Sequence, residues 1–351
     1  MILVFAIGLM LWGFGAAMKV PARARWNLIG LLYVGVLALH VALPLGHPVR
    51  VATGERPEGW LILGGIVLFF YAYRYGLKRL RGRAQQTQAE AAPIQRGAFS
   101  DTELNRYARH IVLREVGGAG QKALKNARVL VIGAGGLGAP VLQYLAASGV
   151  GTIGVIDDDS VENTNLQRQV IHTDARIGMP KVFSAQAAME AQNPFVTVRP
   201  YHRRLSADIV DDLVSEYDLV IDGTDNFDTR YLVNAAAMRA GLPLISGALS
   251  QWEGQVSVFD PAQGAPCYAC VFPKAPAPEL APSCAEAGVI APLPGVVGSM
   301  MAVEAVKLIT GAGAPLRGEM VIYDALYGES RKVMLKRRPD CATCGSGVAE
   351  G

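Results

Sequence analysis

Residues Val129–Asp159 read VLVIGAGGLGAPVLQYLAASGVGTIGVIDDD. The apolar run Val129–Ile132 has the character of a strand buried on both faces. It breaks into Gly133, Gly135, Gly136 and Gly138, and a helical stretch follows from Ala139 to Ser148. A second apolar run, Thr152–Ile156, ends on Asp157, Asp158 and Asp159. Strand, glycine turn, helix, strand and acid in that order form the mononucleotide-binding half of a Rossmann-like sheet. Glycines 133, 135 and 138 match G-x-G-x-x-G, and the acid lies about 20 residues further on, where a ribose hydroxyl needs it. A Cβ in this turn would hold phosphates away from the N–H groups at the helix start. The unit predicts a nucleotide but not which one.

Outward toward the C-terminus the pattern repeats. Glu162–Gln169, ENTNLQRQ, is a polar loop holding Asn163, Asn165 and Arg168. Pro180 opens an amphipathic helix with Lys181 in its first turn. A cation there opposes the helix dipole, and an anionic ligand would supply a reason for it. Phe195–Tyr201 alternates like a strand, and Tyr217–Ile221 is an apolar strand running into DGTDNFDTR, residues 222–230. Asp225 and Asn226 therefore fall beyond the carboxyl end of a strand, where open α/β sheets bind ligands. A helix over Thr229–Gly241 and strands over Leu244–Gly247 and Trp252–Asp260 continue the series. The expected fold is α/β: a mostly parallel sheet with helices between its strands.

From Pro261 the chain turns rich in Pro, Ala and Gly, which predicts a long mobile crossover. An apolar helix over Val296–Thr310 follows, then strands over Glu319–Asp324 and Ser330–Lys336, an appended antiparallel part. Of the five cysteines, four form two C-x-x-C pairs, Cys267/Cys270 and Cys341/Cys344, and Cys284 is left over. Pairs at this spacing in a nucleotide-binding protein point to a metal site in a reducing compartment, with two disulfides as the alternative. Upstream, Ser100 is an N-cap for a helix opening with Asp101 and Glu103. RYARHI then brings Arg106, Arg109 and His110 close together on a short helix, which could simply be a solvated basic face.

The first third differs in kind. Residues 2–18, 27–46 and 59–73 are three apolar, uncharged runs. The second is long enough to span a bilayer, while the first and third sit near the lower limit of about 17 residues. The first could instead be a cleaved signal peptide, although it lacks a positive n-region. Lys19, Arg23 and Arg25 follow the first run, and Arg50 and Arg56 follow the second, offset by Glu55 and Glu58. Arg74, Lys78, Arg79, Arg81 and Arg83 follow the third. The positive-inside rule then puts the N-terminus outside and the remainder in the cytoplasm, as a multi-pass protein of the cell inner membrane. Trp60, Tyr71, Tyr73 and Tyr75 suit the interfaces, and His40 reads as packed within its span. Residues 84–98 are polar and Ala/Gln-rich, a flexible tether. The expected organisation is an anchor over 1–83, a linker over 84–98 and a catalytic domain over 99–347. The net charge of +3 on 351 residues gives no argument for nucleic acid.

RYARHIVL, GAGGLG, DDDSVENTNLQRQ, GMPK, DGTDNFDTR, CYAC, SCAEAGVIAPLPGVVGS and CATCG occur in this order. Together they resemble the ThiF/HesA/MoeB-type adenylyltransferases, bacterial relatives of the ubiquitin-activating enzymes. The likeness is nearest to molybdopterin-synthase adenylyltransferase and its thiamine-pathway counterpart. It covers residues 99–347 and leaves out the three apolar runs. The resemblance implies ATP-dependent activation of the C-terminal glycine of a small ubiquitin-like sulfur carrier ending in Gly-Gly. It places ATP on the glycine turn, with Asp157 at the ribose and Asp159, Asn165 and Asn226 as further nucleotide contacts. Arg168 and Lys181 would meet the triphosphate, Asp225 would handle Mg²⁺, and Arg109 would come from the partner of a homodimer. Cys267, Cys270, Cys341 and Cys344 would hold a structural Zn²⁺. Cys284 matches a crossover-loop thiol that some relatives link covalently to the carrier and others do not need. The chain ends at Gly351 without the sulfur-transferring rhodanese domain of some eukaryotic relatives, so a separate sulfur donor is expected. The competing readings are an NAD(P)-dependent oxidoreductase on the same fold, a family member acting on tRNA, and a non-catalytic membrane scaffold. A hydride-transfer site has no use for Arg168, Lys181 and the TDN stretch. The paired C-x-x-C set and the lack of a basic stripe speak against the tRNA reading. The intact phosphate-handling set speaks against the scaffold.

Overall fold

The computed structural model describes residues 2–18, 20–54, 56–89, 99–276 and 287–345. It separates into two compact units, Met1–Ile94 and Gln95–Gly351.

The larger unit is built on one eight-stranded sheet of order β3-β2-β1-β4-β5-β6-β7-β8. The strands are β1 Arg128–Ile132, β2 Thr152–Ile156, β3 Thr197–Tyr201, β4 Leu219–Asp222, β5 Leu244–Leu249, β6 Glu253–Phe259, β7 Glu319–Asp324 and β8 Glu329–Met334. β1 to β5 are parallel, and β5 to β8 pair antiparallel. The order reverses at β1, which lies between β2 and β4, and this is the switch point where such sheets open a crevice. The strands follow one another as the sequence predicts, with their ends moved by no more than two residues.

β1, β2 and β4 are buried on both faces, which explains their unbroken apolar runs. Successive residues serve opposite layers. Val129 and Val131 face Leu142, Leu145, Val297 and Met301. Leu130, Ile132 and Val220 face Val233, Phe259 and Tyr268. The helices of this unit and the preceding one, numbered together, begin with α1 Ile2–Ala17, α2 Ala22–Ala42, α3 Pro48–Thr53 and α4 Glu58–Ala89. In the larger unit α5 is Asp101–Arg106, α6 Ala108–Ile111, α7 Gly117–Asn126, α8 Gly138–Ser148, α9 Lys181–Gln192, α10 Val210–Ser215, α11 Phe227–Arg239, α12 Tyr268–Val271 and α13 Pro292–Thr310.

Three expectations need correction in this unit. The RYARHI segment is not one helix: α5 stops at Arg106, Tyr107 interrupts, and α6 restarts at Ala108. Buried Tyr107 takes a hydrogen bond from Asn193 Nδ2 (2.8 Å), Arg106 donates to Gln192 O (2.6 Å), and His110 Nδ1 meets Gln121 Oε1 (3.1 Å). The basic residues are thus drawn to different partners. The crossover begins with ordered structure, since Cys267 and Cys270 flank and form α12. Most of its remainder, with Cys284, lies outside the described residues. The third difference is at the start of α13, which opens at Pro292 rather than Val296, with Leu293 buried in the core. By length and apolarity α13 could cross a membrane, yet Val297, Met301 and Ala305 belong to the sheet's core.

The smaller unit holds α1 to α4. α2 ends before Pro44, with Leu43 extended, because the residue before a proline is pushed out of the helical region. The expected run of 27–46 is therefore helical only to Ala42. α4 continues to Ala89, six residues into the expected tether. Trp60 is buried, stacked on Phe5, with its Nε1 donating to Thr53 O (3.0 Å). His40 is packed, its Nε2 3.1 Å from Thr53 Oγ1. Elsewhere large apolar side chains face outward, among them Leu9, Phe14, Leu31, Val34, Leu68 and Phe69.

Candidate active site

A cavity of about 1220 Å³ opens at the carboxyl ends of β1, β2 and β4. Its floor is the glycine turn. Gly133 adopts φ +92°, and a Cβ on Gly138 would lie 1.9 Å from Gly133 O, so both positions need glycine for the backbone alone. Gly136 is tight against Pro294, at 3.2 Å from a Cβ. A Cβ on Gly135 would meet only the end of Gln169, at 3.7 Å. The chain's own packing does not demand glycine there, so close approach of a ligand is what remains to explain it.

Asp157 is fixed by two backbone donors, Ala134 N–H to Oδ2 and Asp159 N–H to Oδ1, both 2.8 Å. Burial holds its carboxyl above the ordinary range, against the pull of Lys181 and these N–H groups. Lys181, buried at the start of α9, reaches Asp159 Oδ2 at 2.6 Å. Arg168 donates to Asn165 Oδ1 (3.1 Å) and Thr164 O (3.3 Å). Arg168, Lys181, Asp157 and Asp159 all line the cavity. Asn165 does not; it orients Arg168 instead.

Asp225 and Asn226 line the same cavity from the loop after β4. Asn226 caps α11 through Thr229 N (2.8 Å). Asp225 is exposed and makes no hydrogen bond among the described residues. The loop is set from beneath by a buried group the sequence reading passed over. Asp222 takes hydrogen bonds from Thr224 N (3.0 Å) and Thr224 Oγ1 (2.6 Å) and sits 3.4 Å from Arg230 NH1. Arg230 also donates to Ser246 Oγ (2.9 Å), Gly247 O (2.8 Å) and Thr224 O. The signal was present in the sequence: an arginine eight residues after a strand-end acid, on a helix facing the sheet.

Gln169 was also missed. It is 4% exposed, lines the cavity, and its Oε1 has no partner among the described residues. Arg203, Arg204 and Lys274 add cations to the rim, and Leu249, Trp252 and Leu326 add apolar surface. The cavity thus has an anion-binding end and a half-apolar mouth.

Arg109 is exposed on α6 and does not line this cavity. Cys284 is outside the described residues.

The four paired cysteines come together, away from the nucleotide end. Cys267 Sγ lies 3.8 Å from Cys270 Sγ and 3.6 Å from Cys341 Sγ, and Cys270 Sγ lies 3.4 Å from Cys344 Sγ. Tetrahedral Zn²⁺ with Zn–S near 2.3 Å sets its sulfurs about 3.8 Å apart. The donor set therefore fits zinc, and four protein thiolates leave no open position for chemistry. Arg338 N–H donates to Cys270 Sγ (3.5 Å), which favours the thiolate form of that sulfur. Burial pushes the Cys267 thiol up. At Cys341 burial is outweighed, chiefly by the N–H groups of Cys344 and Thr343, which bring that thiol down to about 7.

The model of the ThiF family matches residues 107–343. A sulfur carrier protein adenylyltransferase of Thermus thermophilus is 51% identical over 251 residues, covering 70% of this chain and 93% of the relative. A SAMP-activating enzyme E1 of Haloferax volcanii is 48% identical over 246 residues, covering 70% and 90%. A molybdopterin-synthase adenylyltransferase of Salmonella typhimurium is 47% identical over 247 residues, covering 70% and 98%. Among solved structures, E. coli MccB with ATP superposes with a TM-score of 0.61 at 26% identity, covering 72% of this chain and 76% of that one.

Proposed function

The chain belongs to the ThiF family, and from that membership we propose that it uses ATP to adenylate the C-terminal glycine of a small ubiquitin-like sulfur-carrier protein. The single observation that carries this reading is the convergence of Asp157, Arg168, Lys181 and Asp225 on one glycine-floored cavity with an open, half-apolar mouth. A carboxylate oxygen of the carrier attacks the α-phosphorus of ATP. The new C–O–P linkage forms as the bond to the bridging oxygen breaks, and pyrophosphate leaves. An α-carboxyl group with a pKa of about 3.5 is already ionised near neutrality, so the step needs no general base. The site has to align the reactants and neutralise charge on the departing pyrophosphate. Arg168 supplies a planar fork and Lys181 a point charge for that purpose. Asp157, held by Ala134 and Asp159, faces the ribose. Asp225 is the carboxylate free to bind Mg²⁺, which when present screens the triphosphate charge. The cysteine cluster holds Zn²⁺ in a structural role.

The finer reading is that the carrier is the small subunit of molybdopterin synthase, ending in Gly-Gly, and that a separate protein donates sulfur. The enzyme works as a homodimer in which Arg109 reaches the partner's cavity. The exposure of Arg109 away from its own cavity supports that arrangement. The smaller unit is a membrane anchor. Its outward-facing Leu9, Phe14, Leu31, Val34, Leu68 and Phe69 favour lipid, and Arg23–Ala42 is long and apolar enough to cross a bilayer. Ile2–Ala17 is shorter, at 16 residues. The basic segments after the first and third runs favour a cytoplasmic catalytic unit at the inner membrane.

Carrier-dependent ATP–pyrophosphate exchange tests the function. The expected result is exchange that requires a carrier with an intact Gly-Gly end and is strongest with the molybdopterin carrier. Stronger exchange with the thiamine-pathway carrier would correct the finer reading, and NAD(H) binding without exchange would overturn the whole.

A further inference from the structure

We propose that His172 is a positioning residue for the nucleotide, a strut that joins the glycine turn to the first turn of α9 and so sets the distance between the turn and Lys181. The inference rests on the reading of the cavity as an ATP site.

His172 is 6% exposed and lies in the loop between β2 and α9. Its Nε2 is 2.9 Å from Ala134 O and its Nδ1 is 2.9 Å from Ser184 Oγ. A carbonyl oxygen only accepts, so Nε2 carries the hydrogen. Nδ1 is then the acceptor and the Ser184 hydroxyl donates to it. One neutral tautomer satisfies both contacts. Burial together with the nearby cations Lys181 and Arg176 holds the imidazole pKa below its ordinary value, in keeping with a neutral ring. Ser184 is fully buried, and its own carbonyl accepts from Arg176 NH1 at 2.7 Å. The imidazole is therefore held at both nitrogens, by the glycine turn at Nε2 and by α9 at Nδ1.

What it clamps is the residue on which the turn hinges. The Ala134 N–H is taken by Asp157 Oδ2 at 2.8 Å, and the Ala134 carbonyl is taken by His172. A trans peptide plane points its C=O and N–H in opposite directions. Holding the Ala134 carbonyl toward His172 therefore turns the Gly135 N–H away from the imidazole. Gly135 lines the cavity, and its N–H makes no hydrogen bond among the described residues. It is thus left for a phosphate oxygen. Without the imidazole the Ala134–Gly135 peptide is free to rotate, and glycine on its far side offers little resistance. On the other arm, Ser184 lies three residues after Lys181 in the same helical turn. A bland account, in which His172 is only a satisfied core side chain, predicts loss of stability alone. The strut predicts loss of ATP affinity.

The test uses the full chain in detergent and compares His172→Gln, His172→Leu and Ser184→Ala. Gln keeps a donor where Nε2 sits; Leu keeps bulk and loses both bonds; the Ser184 variant frees one arm. ATP alone is titrated first, then pyrophosphate exchange is measured at varied ATP and varied carrier. The expected result is a rise of about tenfold in the Kd and KM for ATP with Leu, a smaller rise with the Ser184 variant, and recovery with Gln. The KM for carrier should not move. A folded Leu variant with the wild-type Kd for ATP overturns the proposal. If the Leu variant does not fold, the Ser184 variant decides, and an unchanged ATP Kd there overturns it too. Wild-type protein that binds ATP but exchanges no pyrophosphate sinks the adenylation reading and leaves the titration to judge His172. Wild-type protein that binds no ATP sinks both.

Discussion

Lys181 Nζ lies 2.6 Å from Asp159 Oδ2, with the lysine side chain 5% exposed and the acid 65% exposed. A buried ammonium with one carboxylate partner is held in place before any nucleotide arrives. Its charge opposes the dipole of α9, so without an anion the position is unfavourable for the helix. The pairing is lopsided: the acid can swing into water, while the lysine has nowhere else to go. ATP can therefore take over the ammonium at modest cost to Asp159. Lys181→Met is expected to lower pyrophosphate exchange by about a hundredfold or more. Asp159→Asn, which leaves the buried charge alone, should lower Tm in the absence of ATP and recover part of it when ATP is added. Thermal melts with and without ATP check this; equal melting of Asp159→Asn and wild type would mean that the pair carries no structural weight.

Asp225 presents the contrasting case. It is exposed, unbonded and placed by the Asp222–Arg230 group rather than by its own side chain. Asp225→Ala should therefore leave the unfolding free energy within about 0.5 kcal/mol of wild type. Exchange activity should fall to background at any Mg²⁺ concentration. Near wild-type exchange would remove Asp225 from the mechanism. Arg230→Met, by contrast, strips a buried carboxylate of its partner and is expected to destabilise the protein by about 3–5 kcal/mol.

Most of the nucleotide half was legible because its signals are local. The glycine spacing, the apolar strands and the acids at strand ends each encode one element, and the sheet order follows from linking them. Arg230 left only an indirect signal, its spacing from Asp222, and His172 left none: its partners are a backbone carbonyl 38 residues away and a serine hydroxyl on another element, and such acceptors leave no mark on residue type. Tyr107 hid for a similar reason: its role in ending α5 depends on Asn193, 86 residues away. The four cysteines were legible through C-x-x-C spacing, but their meeting across 74 residues had to come from the fold. The extension of α4 to Ala89 ran against a composition that reads as linker.

The cysteine cluster yields a metal prediction. Four sulfurs at 3.4–3.8 Å along three of its edges fit one Zn²⁺ per chain. Metal analysis of purified protein should find close to one zinc. Cys270→Ser should lose it and melt early, because Cys267 caps α12, Cys270 lies within it, and Cys341 and Cys344 hold the C-terminal segment against it. Strong chelators should lower Tm without changing the KM for ATP. Four free thiols in metal-free protein of unchanged Tm would refute a structural zinc.

A pH dependence follows from Glu103. Burial pushes its carboxyl up, but the hydrogen bonds from Lys125 and Ser100 outweigh burial and hold it below its ordinary value. Lys125 Nζ reaches Glu103 Oε1 at 2.7 Å, and Ser100 N–H reaches Oε2 at 2.9 Å. A carboxyl with a depressed folded pKa binds fewer protons folded than unfolded. Its contribution is full above the unfolded value and is lost as pH falls through the folded one. Stability should therefore fall below about pH 4.5, and Glu103→Gln should flatten that limb. Denaturant titrations at stepped pH check it; an identical acid limb in the variant would assign the loss to other carboxylates.

The Glu103 pair and Gln121 together hold the segment that carries Arg109. Gln121 is fully buried, donates to Ser148 O at the end of α8 (2.8 Å) and meets His110 Nδ1 (3.1 Å). α6 is thereby fixed to the far end of the helix whose start is the glycine turn, and Arg109, beside His110 on α6, is left exposed outside its own cavity. In the homodimer proposed above, the partner's cavity receives this exposed arginine. In a two-fold dimer each chain would then complete the other. Arg109→Ala and Asp225→Ala homodimers should both be inactive. A heterodimer should hold one working site, in which the intact Asp225 of the first chain meets the intact Arg109 of the second. Random mixing in equal amounts should thus restore about a quarter of wild-type exchange. Gln121→Leu should behave like Arg109→Ala in this assay, rescued by Asp225→Ala chains, since its fault would also lie in the delivered segment. Heterodimers that form, by mass or tag exchange, and recover no activity would rule out delivery in trans.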